Sequence, residues 1–172
     1  MKEIFLTQGL ITSVDDYNYE WLNQWKWCAN RKKDCYYAYR AENKKEYEAD
    51  GRTCKQRKYF YMHRMILERI LGRKLESWEE TDHRNNNSLD NQENNLRVGT
   101  HQQNLYNRNS FKGASSLYIG VSWNKSLEKW EAHIKVNGKK KHLGFYSSEI
   151  EAAKIRDEAA KFYYGEFVKL NF

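Results

Sequence analysis

The chain contains no proline, only three cysteines and no long hydrophobic run. Without proline, its turns depend on Gly, Asn, Asp and Ser, which explains part of its asparagine content. The cysteines, Cys28, Cys35 and Cys54, form no Cys-x-x-Cys pair, so no structural zinc is expected. An odd cysteine count and a start without an apolar leader predict reduced thiols in the cytoplasm. No segment is apolar for long enough to predict a membrane span.

The chain is instead rich in positive charge and in aromatic side chains. Among its 172 residues, 30 are Lys or Arg and 23 are Asp or Glu, which gives a formal net charge of +7. This balance favours a polyanionic partner, because basic side chains attract phosphates and release their counterions. The 6 Trp and 13 Tyr can pack in small cores or lie against nucleic acid bases.

One polar stretch contains the candidate catalytic and metal-binding residues. It reads DHRNNNSLDNQENNLRVGTHQQN and runs from Asp82 to Asn104, with Asn95 between them. A carboxylate beside a histidine can hold a metal ion next to a general base, and the asparagines can complete such a site if the chain folds back. In a basic, aromatic-rich chain, a metal ion and a base together indicate phosphodiester hydrolysis.

Local patterns divide the chain into an N-terminal part with the polar stretch (1–109), a linker (110–116) and a C-terminal part (117–172). The C-terminal part reads as three strands and a helix, with a two-residue hairpin turn at Asn137-Gly138. The N-terminal part is predicted to begin with a hairpin from Ile4 to Val14, followed by a helix after Asp15 that carries Tyr19, Leu22 and Trp25. Strands are predicted at 36–41 and 58–62, and a helix through Met65 and Ile70 is predicted to end at Gly72. A last helix is predicted from the Thr100–Gln103 capping box to about Asn109.

Charge is distributed unevenly within the C-terminal part. Residues 112–145 contain seven Lys and two Glu, whereas 146–172 have a net charge of −1. In the second strand, alternation places Ala132, Ile134 and Val136 on one face and Glu131, His133 and Lys135 on the other. The apolar face is predicted to pack on the helix. The Lys excess on the other face favours nucleic acid, although an outer face that is simply solvated is the ordinary alternative.

Two segments resemble known families. Segment 82–104 resembles the HNH nuclease motif in its Asn-ended variant, and 115–172 resembles the AP2 DNA-binding domain through YIGVSW, KWEAHIKVNGKKKHLGFY and EAAKIRDEAAKFYYGEFVKLNF. The whole chain is similar to a phage or intron-type HNH homing endonuclease with a C-terminal AP2 module. The resemblance implies an α+β fold: a ββα-metal nuclease core with an N-terminal strand and helix region, and an AP2-like three-stranded antiparallel sheet packed on one helix.

The resemblance also implies roles for single residues. His83 would be the general base and Asn95 would orient its ring, while Asp82 and Asn104 would bind Mg²⁺ or Mn²⁺. The expected substrate is double-stranded DNA. The residues expected to contact it are Arg84, Arg97 and Arg108 beside the motif and Ser122, Trp123, Asn124, Lys125, His133, Lys135, Lys139, Lys140 and His142 in the AP2-like part.

Several alternatives stay open at the level of sequence. A DNA-binding regulator with a relic nuclease site is the second functional interpretation. Plant AP2 domains often have Arg where this chain has Ile119, Ser122 and Asn124, so base recognition by Arg is in doubt. His63 and His101 have no assigned role. The target sequence, the oligomeric state and the choice between a nick and a double-strand break stay open as well.

Overall fold

The computed structural model describes residues 1–33, 35–49, 52–107 and 113–172, with side chains described throughout except in 43–49 and 52–56. The chain divides into two compact units, Met1–Gly99 and Thr100–Phe172. From the sequence, a linker is predicted at 110–116, and this finer boundary stays a prediction. In the described ranges, no helix has both the length and the apolar character needed to cross a bilayer.

The first unit is built from short antiparallel sheets and helices. Strand β1 pairs with β2, β4 lies between β3 and β5, and β6 pairs with β7. The elements are β1 (Lys2–Phe5), β2 (Ile11–Val14), α1 (Asp16–Asn23), β3 (Cys28–Lys32), β4 (Cys35–Ala49), β5 (Arg52–Tyr61), α2 (Met62–Leu71), β6 (Glu79–His83) and β7 (Leu96–Thr100).

The predicted N-terminal hairpin is confirmed by the pairing of β1 with β2. Ile4 and Val14 point into the unit and are 3 % and 0 % exposed. They join a core built around Trp27, whose ring nitrogen donates to the Leu22 carbonyl oxygen over 2.8 Å. This hydrogen bond satisfies the one donor of the Trp27 ring, so the ring can be buried and stabilise the unit without leaving a polar group unpaired.

The two helices of the first unit begin and end close to the predicted positions. Helix α2 ends at Gly72, which has a φ of +64°, a left-handed conformation that glycine adopts with little strain. Helix α1 ends at Asn23, so Trp25 lies beyond it and its predicted place in that helix is wrong. Trp25 instead packs edge-on between Trp21 and Trp27.

In residues 100–107 and 113–172, the second unit contains a three-stranded antiparallel sheet, one long α-helix and one short α-helix. Its elements are α3 (His101–Tyr106), β8 (Val121–Asn124), β9 (Lys129–Val136), β10 (Lys139–Tyr146) and α4 (Glu149–Tyr164), with the sheet in the order β10-β9-β8. The three strands and the helix predicted for this part are therefore confirmed. So is the turn between β9 and β10, because Asn137 and Gly138 have φ values of +50° and +78°, as a two-residue hairpin turn requires.

Apolar side chains of β9 pack against helix α4. Ala132 and Ile134 are 0 % and 2 % exposed and contact the alanines and aromatics of the helix. Helix α3 begins with the predicted capping box, in which Thr100 and Gln103 each bind the other's backbone. The ring of Tyr106 stacks on that of Tyr164 with centroids 3.8 Å apart. The specific ββα-metal and AP2 arrangements stay predictions.

Candidate active site

Asp82 and His83 lie at the end of strand β6 and inside the first unit. Each is 7 % exposed. The segment that follows is a loop whose turns are closed by asparagine side chains: the Asn85 Oδ1 atom accepts from the Asn87 backbone, and the Asn87 Oδ1 atom accepts from Leu89. Asparagine favours such turns because its short side chain can reach the backbone two residues further on.

Asn95 braces this loop from within. Its Oδ1 atom accepts from the Asn85 backbone at 2.9 Å, and its Nδ2 atom donates to the Asp90 carbonyl at 2.8 Å. Its own carbonyl accepts from the Arg84 backbone at 2.9 Å. The expected role of Asn95 was to orient the His83 ring. Both polar atoms of its side chain bind the loop backbone, and its role in orienting His83 stays a prediction.

The His83 ring is held by a different asparagine. The His83 Nε2 atom lies 3.2 Å from the Asn91 Oδ1 atom, and Asn91 is fully buried. The Nδ2 atom of Asn91 donates to the Thr12 hydroxyl over 2.7 Å. Asn91 was not singled out from the sequence, because it stands in an asparagine-rich run that turn formation already explained.

The environment of His83 favours its neutral form. Burial lowers the pKa of His83 below its ordinary value, because an imidazolium loses hydration inside the protein. The hydrogen bond to Asn91 and the charges of Asp82 and Asp90 act in the opposite direction. A neutral imidazole at neutral pH can accept a proton, which a general base must do.

Asp82 forms a buried ion pair with Arg97. The Arg97 Nε and Nη2 atoms lie 2.7 and 2.6 Å from the same carboxylate oxygen, Oδ2. Counting side-chain atoms alone, Asp82 is 9 % exposed and Arg97 is 7 % exposed. Arg97 was expected to contact the DNA backbone. In the structure its guanidinium is turned inward and offsets the charge of the carboxylate that was expected to bind a metal.

His63 contacts His83 and belongs to an aromatic cluster. The two imidazole centroids are 5.3 Å apart with nearly perpendicular planes. His63 also stacks on Tyr61 and lies edge-on to Tyr37, while the Lys32 ammonium lies 4.5 Å from the Tyr61 ring centre. The sequence left His63 without a role, because its place at the start of α2 does not reveal a neighbour twenty residues further along the chain.

The nitrogen Nδ1 of His63 is buried and has no hydrogen-bond partner among the described residues. Burial lowers the pKa of His63 to about 3, and repulsion from His83 in its protonated form, from Lys32 and from Arg64 acts in the same direction. His63 is therefore neutral at neutral pH, and an uncharged ring packs against the His83 ring.

The other predicted residues near the motif are placed differently. Arg84 is exposed at the start of the loop, and Arg108 lies outside the described residues. Asn104 is half-buried and His101 exposed, and both are on α3 in the second unit. Among the described residues, no three His, Cys, Asp or Glu side chains come together to hold a metal ion.

The predicted DNA-contacting residues of the second unit share the sheet face away from α4 only in part. Strand register pairs Lys135 with Lys140 and His133 with His142. Glu131 lies among them and binds the Lys140 ammonium at 2.8 Å and the His142 ring at 3.1 Å. Lys135 is exposed and makes no ion pair among the described residues. Burial lowers the pKa of His133.

The first strand of this sheet also positions its predicted residues unequally. Asn124 accepts from the backbones of Ser126 and Leu127 and closes the turn. Trp123 pairs with Trp130 in the register, and the two rings meet edge-on at 5.0 Å. Trp130 packs on the core that faces α4, so Trp123 is on the helix side of the sheet. Ser122 pairs with Glu131 in the register and is half-buried, Lys139 pairs with Val136 and is exposed, and Lys125 is exposed after the end of β8.

Comparison with known proteins matches the segment that contains β6, the loop and β7. Residues 60–106 match the HNH endonuclease family. A protein of Acanthamoeba polyphaga mimivirus, named as an uncharacterized HNH endonuclease, is 34 % identical over 110 residues, which is 64 % of this chain and 56 % of that protein. The chain thus spans about half the length of that relative. No solved structure gives a significant match. Residues 60–106 are therefore similar to an HNH endonuclease domain.

Proposed function

We propose that the protein is a divalent-metal-dependent DNA endonuclease in which His83 is the general base. The observation that carries this proposal is the position of His83 within the HNH segment: it is buried beside Asp82, its ring is hydrogen-bonded by Asn91, and its pKa is lowered by burial. Such an imidazole is uncharged and oriented before substrate arrives, as efficient proton transfer requires.

In the proposed reaction, His83 accepts a proton from a water molecule as the water oxygen attacks phosphorus. A new P–O bond forms to that oxygen, and the bond from phosphorus to the 3′ oxygen breaks. The 3′ oxygen leaves with the bonding electron pair and takes up a proton. Water is the only co-reactant, and no oxidant or reductant is needed.

The proposed metal ligands are Asp82 and Asn104, which offer the oxygen donors that Mg²⁺ and Mn²⁺ prefer. A bound divalent ion would offset the charge of a phosphate oxygen and of the leaving 3′ oxygen. The Asp82 carboxylate suits such an ion in its chemistry, but its oxygen Oδ2 already accepts two hydrogen bonds from Arg97. Metal binding at Asp82 therefore has to be compatible with this ion pair or displace the guanidinium.

The second unit is proposed to bind duplex DNA as an AP2-like module, in an enzyme of the homing type. Exposed Lys135 and Lys140 adjoin each other on neighbouring strands, and adjacent ammonium groups suit the regular charge of a phosphate backbone. His133 and His142 lie beside them. Base contacts would come from this face or from Lys125 and Lys139 at its ends.

One observation favours the second candidate, a DNA-binding regulator with a relic nuclease site. Arg97 offsets the buried charge of Asp82, and a carboxylate that is fully committed to an arginine would not bind a catalytic metal. The two candidates differ in a simple property, because the regulator binds DNA without cutting it.

The test uses the full chain and supercoiled plasmid, with Mg²⁺, with Mn²⁺ or with a chelator. The endonuclease proposal predicts nicked or linear plasmid with metal only, and a loss of about 10²- to 10⁴-fold in His83→Ala. Gel shift on the same preparations should show nearly unchanged DNA binding by the variant, since His83 acts on water. Binding without cleavage by the wild type in both metals would support the regulator, and full cleavage by His83→Ala would remove His83 from the mechanism.

A further inference from the structure

A chain of hydrogen bonds connects His83 to the N-terminal hairpin. The Thr12 hydroxyl, on strand β2, donates to the Leu89 carbonyl oxygen over 2.6 Å. The Nδ2 atom of Asn91 donates to the Thr12 oxygen over 2.7 Å, and the Asn91 Oδ1 atom lies 3.2 Å from the His83 Nε2 atom. Thr12 and Asn91 are both 0 % exposed, so water does not compete for these contacts.

The chemistry of the donors decides the direction of every link. A carbonyl oxygen can only accept, so Thr12 must give its single hydroxyl proton to Leu89. The Thr12 oxygen then accepts from Asn91, and the amide atom that can donate to it is Nδ2. The Oδ1 atom of Asn91 therefore faces the imidazole, and the His83 Nε2 atom must carry a hydrogen to bind it. A neutral imidazole has one N–H group, so Nδ1 holds the lone pair.

We propose that Thr12 and Asn91 are positioning residues that select the tautomer of His83 in which Nδ1 is the basic atom. This rests on the proposed function only in its last step, the use of that lone pair to take a proton from water. The hydrogen on Nε2 and the orientation of the Asn91 amide are properties of the folded protein and need no substrate.

The backbone holds the loop against strand β2 at the same place. The Ser13 N–H donates to the Leu89 carbonyl over 2.9 Å, and the Asn91 N–H donates to the Ser13 carbonyl over 2.8 Å. Thr12 stands 48 positions before the first residue of the family match at 60. The N-terminal hairpin thus takes part in the site, although it lies outside the family match at residues 60–106.

A change of tautomer affects rate more than binding. If the Asn91 amide turned over, its Nδ2 atom would face the ring, and Nε2 would become the acceptor and Nδ1 the protonated atom. The lone pair would then lie on the wrong side of the ring for the reaction. Removing the partners that orient metal-bound histidines typically changes metal affinity or activity by about 10- to 100-fold. We expect a loss of rate of the same size here, and DNA affinity should hardly change.

The experiment measures the tautomer directly in the full-length protein labelled with ¹⁵N at histidine. Long-range ¹H–¹⁵N spectra distinguish a protonated Nε2 from a protonated Nδ1, and the spectrum of His83→Gln identifies which signals belong to His83. They are recorded above the pKa of the ring. Single-turnover cleavage and DNA affinity are measured on the same samples.

Three variants separate the proposed role from a general loss of stability. Thr12→Val keeps the shape but removes the hydroxyl, and Asn91→Leu removes the amide. Thr12→Ser restores the hydroxyl and should rescue the wild-type tautomer and most of the rate. Thr7→Val is the matched control, because Thr7 on the same hairpin loses one hydrogen bond, from the Ala29 N–H at 2.9 Å, and has no link to His83 through the described residues.

The expected result is Nε2–H in wild type, Thr12→Ser and Thr7→Val, with a mixed or Nδ1–H signal in Thr12→Val and a rate lower by about 10- to 100-fold. Nδ1–H in the wild type, or a Thr12→Val protein with unchanged tautomer and rate, would overturn the proposal. If Asn91→Leu does not fold, the nearly isosteric Thr12→Val still decides. A protein that cuts no DNA at all would refute the nuclease function, while the spectra would still decide the tautomer.

Discussion

The Arg97 guanidinium binds Asp82 through two nitrogens, Nε at 2.7 Å and Nη2 at 2.6 Å, and both side chains are buried. The pair joins the end of β6 to the start of β7, on either side of the loop that carries Asn91 and Asn95. An arginine next to a nuclease motif would ordinarily be expected to bind phosphate, so this inward pairing changes what its removal should do.

Replacing Arg97 should lower stability rather than weaken DNA binding alone. In Arg97→Ala the Asp82 carboxylate is left buried without its partner, which typically costs about 3–5 kcal/mol of the free energy of unfolding. Urea unfolding measures this loss. Lys2→Ala is the control, since it breaks an exposed pair with Glu20 worth at most about 1 kcal/mol. Equal small losses in both variants would contradict a structural role for the Arg97 pair.

The proposed metal ligands predict a shift in metal requirement. Asp82→Ala and Asn104→Ala each remove one of few protein oxygens, so each should need more Mg²⁺ or Mn²⁺ for half-maximal cleavage. Titrating the cleavage rate against metal concentration tests this. Asp16→Ala removes an exposed carboxylate that pairs with the N-terminus and should leave the titration unchanged. Wild-type titration curves for both ligand variants would place the ion elsewhere.

His63 should make the protein sensitive to acid. Its pKa is about 3 in the folded protein, against an ordinary value of 6.5, so between these values the unfolded chain binds more protons than the folded one. Stability contributed by neutral His63 is complete above about pH 6.5 and is lost as the pH falls, by up to about 1.4 kcal/mol per pH unit.

The comparison of wild type with His63→Phe isolates this contribution. Phenylalanine keeps a flat ring against His83 but does not titrate. Urea unfolding at pH 7 and pH 5 should show a larger loss of stability in the wild type than in the variant. The same loss in both proteins would show that His63 is not held neutral by the fold.

Removal of Lys135 on strand β9 and removal of Lys141 on strand β10 should change the salt dependence of DNA binding by different amounts. Lys135 is exposed on the outer face, whereas the Lys141 ammonium donates to the Tyr163 hydroxyl at 2.5 Å and lies 4.8 Å from that ring's centre. Lys135→Ala should flatten the slope of log affinity against log salt by about one unit, as expected for one lost phosphate contact, and Lys141→Ala should change it less.

Affinity for duplex DNA over a salt series gives both slopes. Lys140→Ala should flatten the slope as Lys135→Ala does, and its affinity should fall further because Glu131 loses its Lys140 partner and its charge repels the phosphates. Identical slopes in the three variants and the wild type would show that this face of the sheet does not meet the phosphate backbone.

Much of the local structure follows from the sequence alone. The Thr100–Gln103 capping box starts a helix, Gly72 ends another, and Asn137-Gly138 forms a turn. Each of these signals acts within a few residues, through one backbone conformation or one short hydrogen bond, and needs no distant partner. The alternation of Ala132 and Ile134 with polar neighbours likewise predicts which face of the sheet is buried, because side chains of a strand point to opposite sides.

The sequence also determined the chemistry of the candidate site, because Asp82, His83, Asn95 and Asn104 stand at spacings that resemble the HNH motif. Only the tertiary structure decided which side chains contact these motif residues. Thr12 and Asn91 are 79 positions apart and His63 and His83 are 20 apart, and no local pattern records such contacts. Arg97 likewise looks like a surface cation in sequence and becomes an internal counter-ion only when two strands bring it to Asp82, where burial makes an unpaired charge costly.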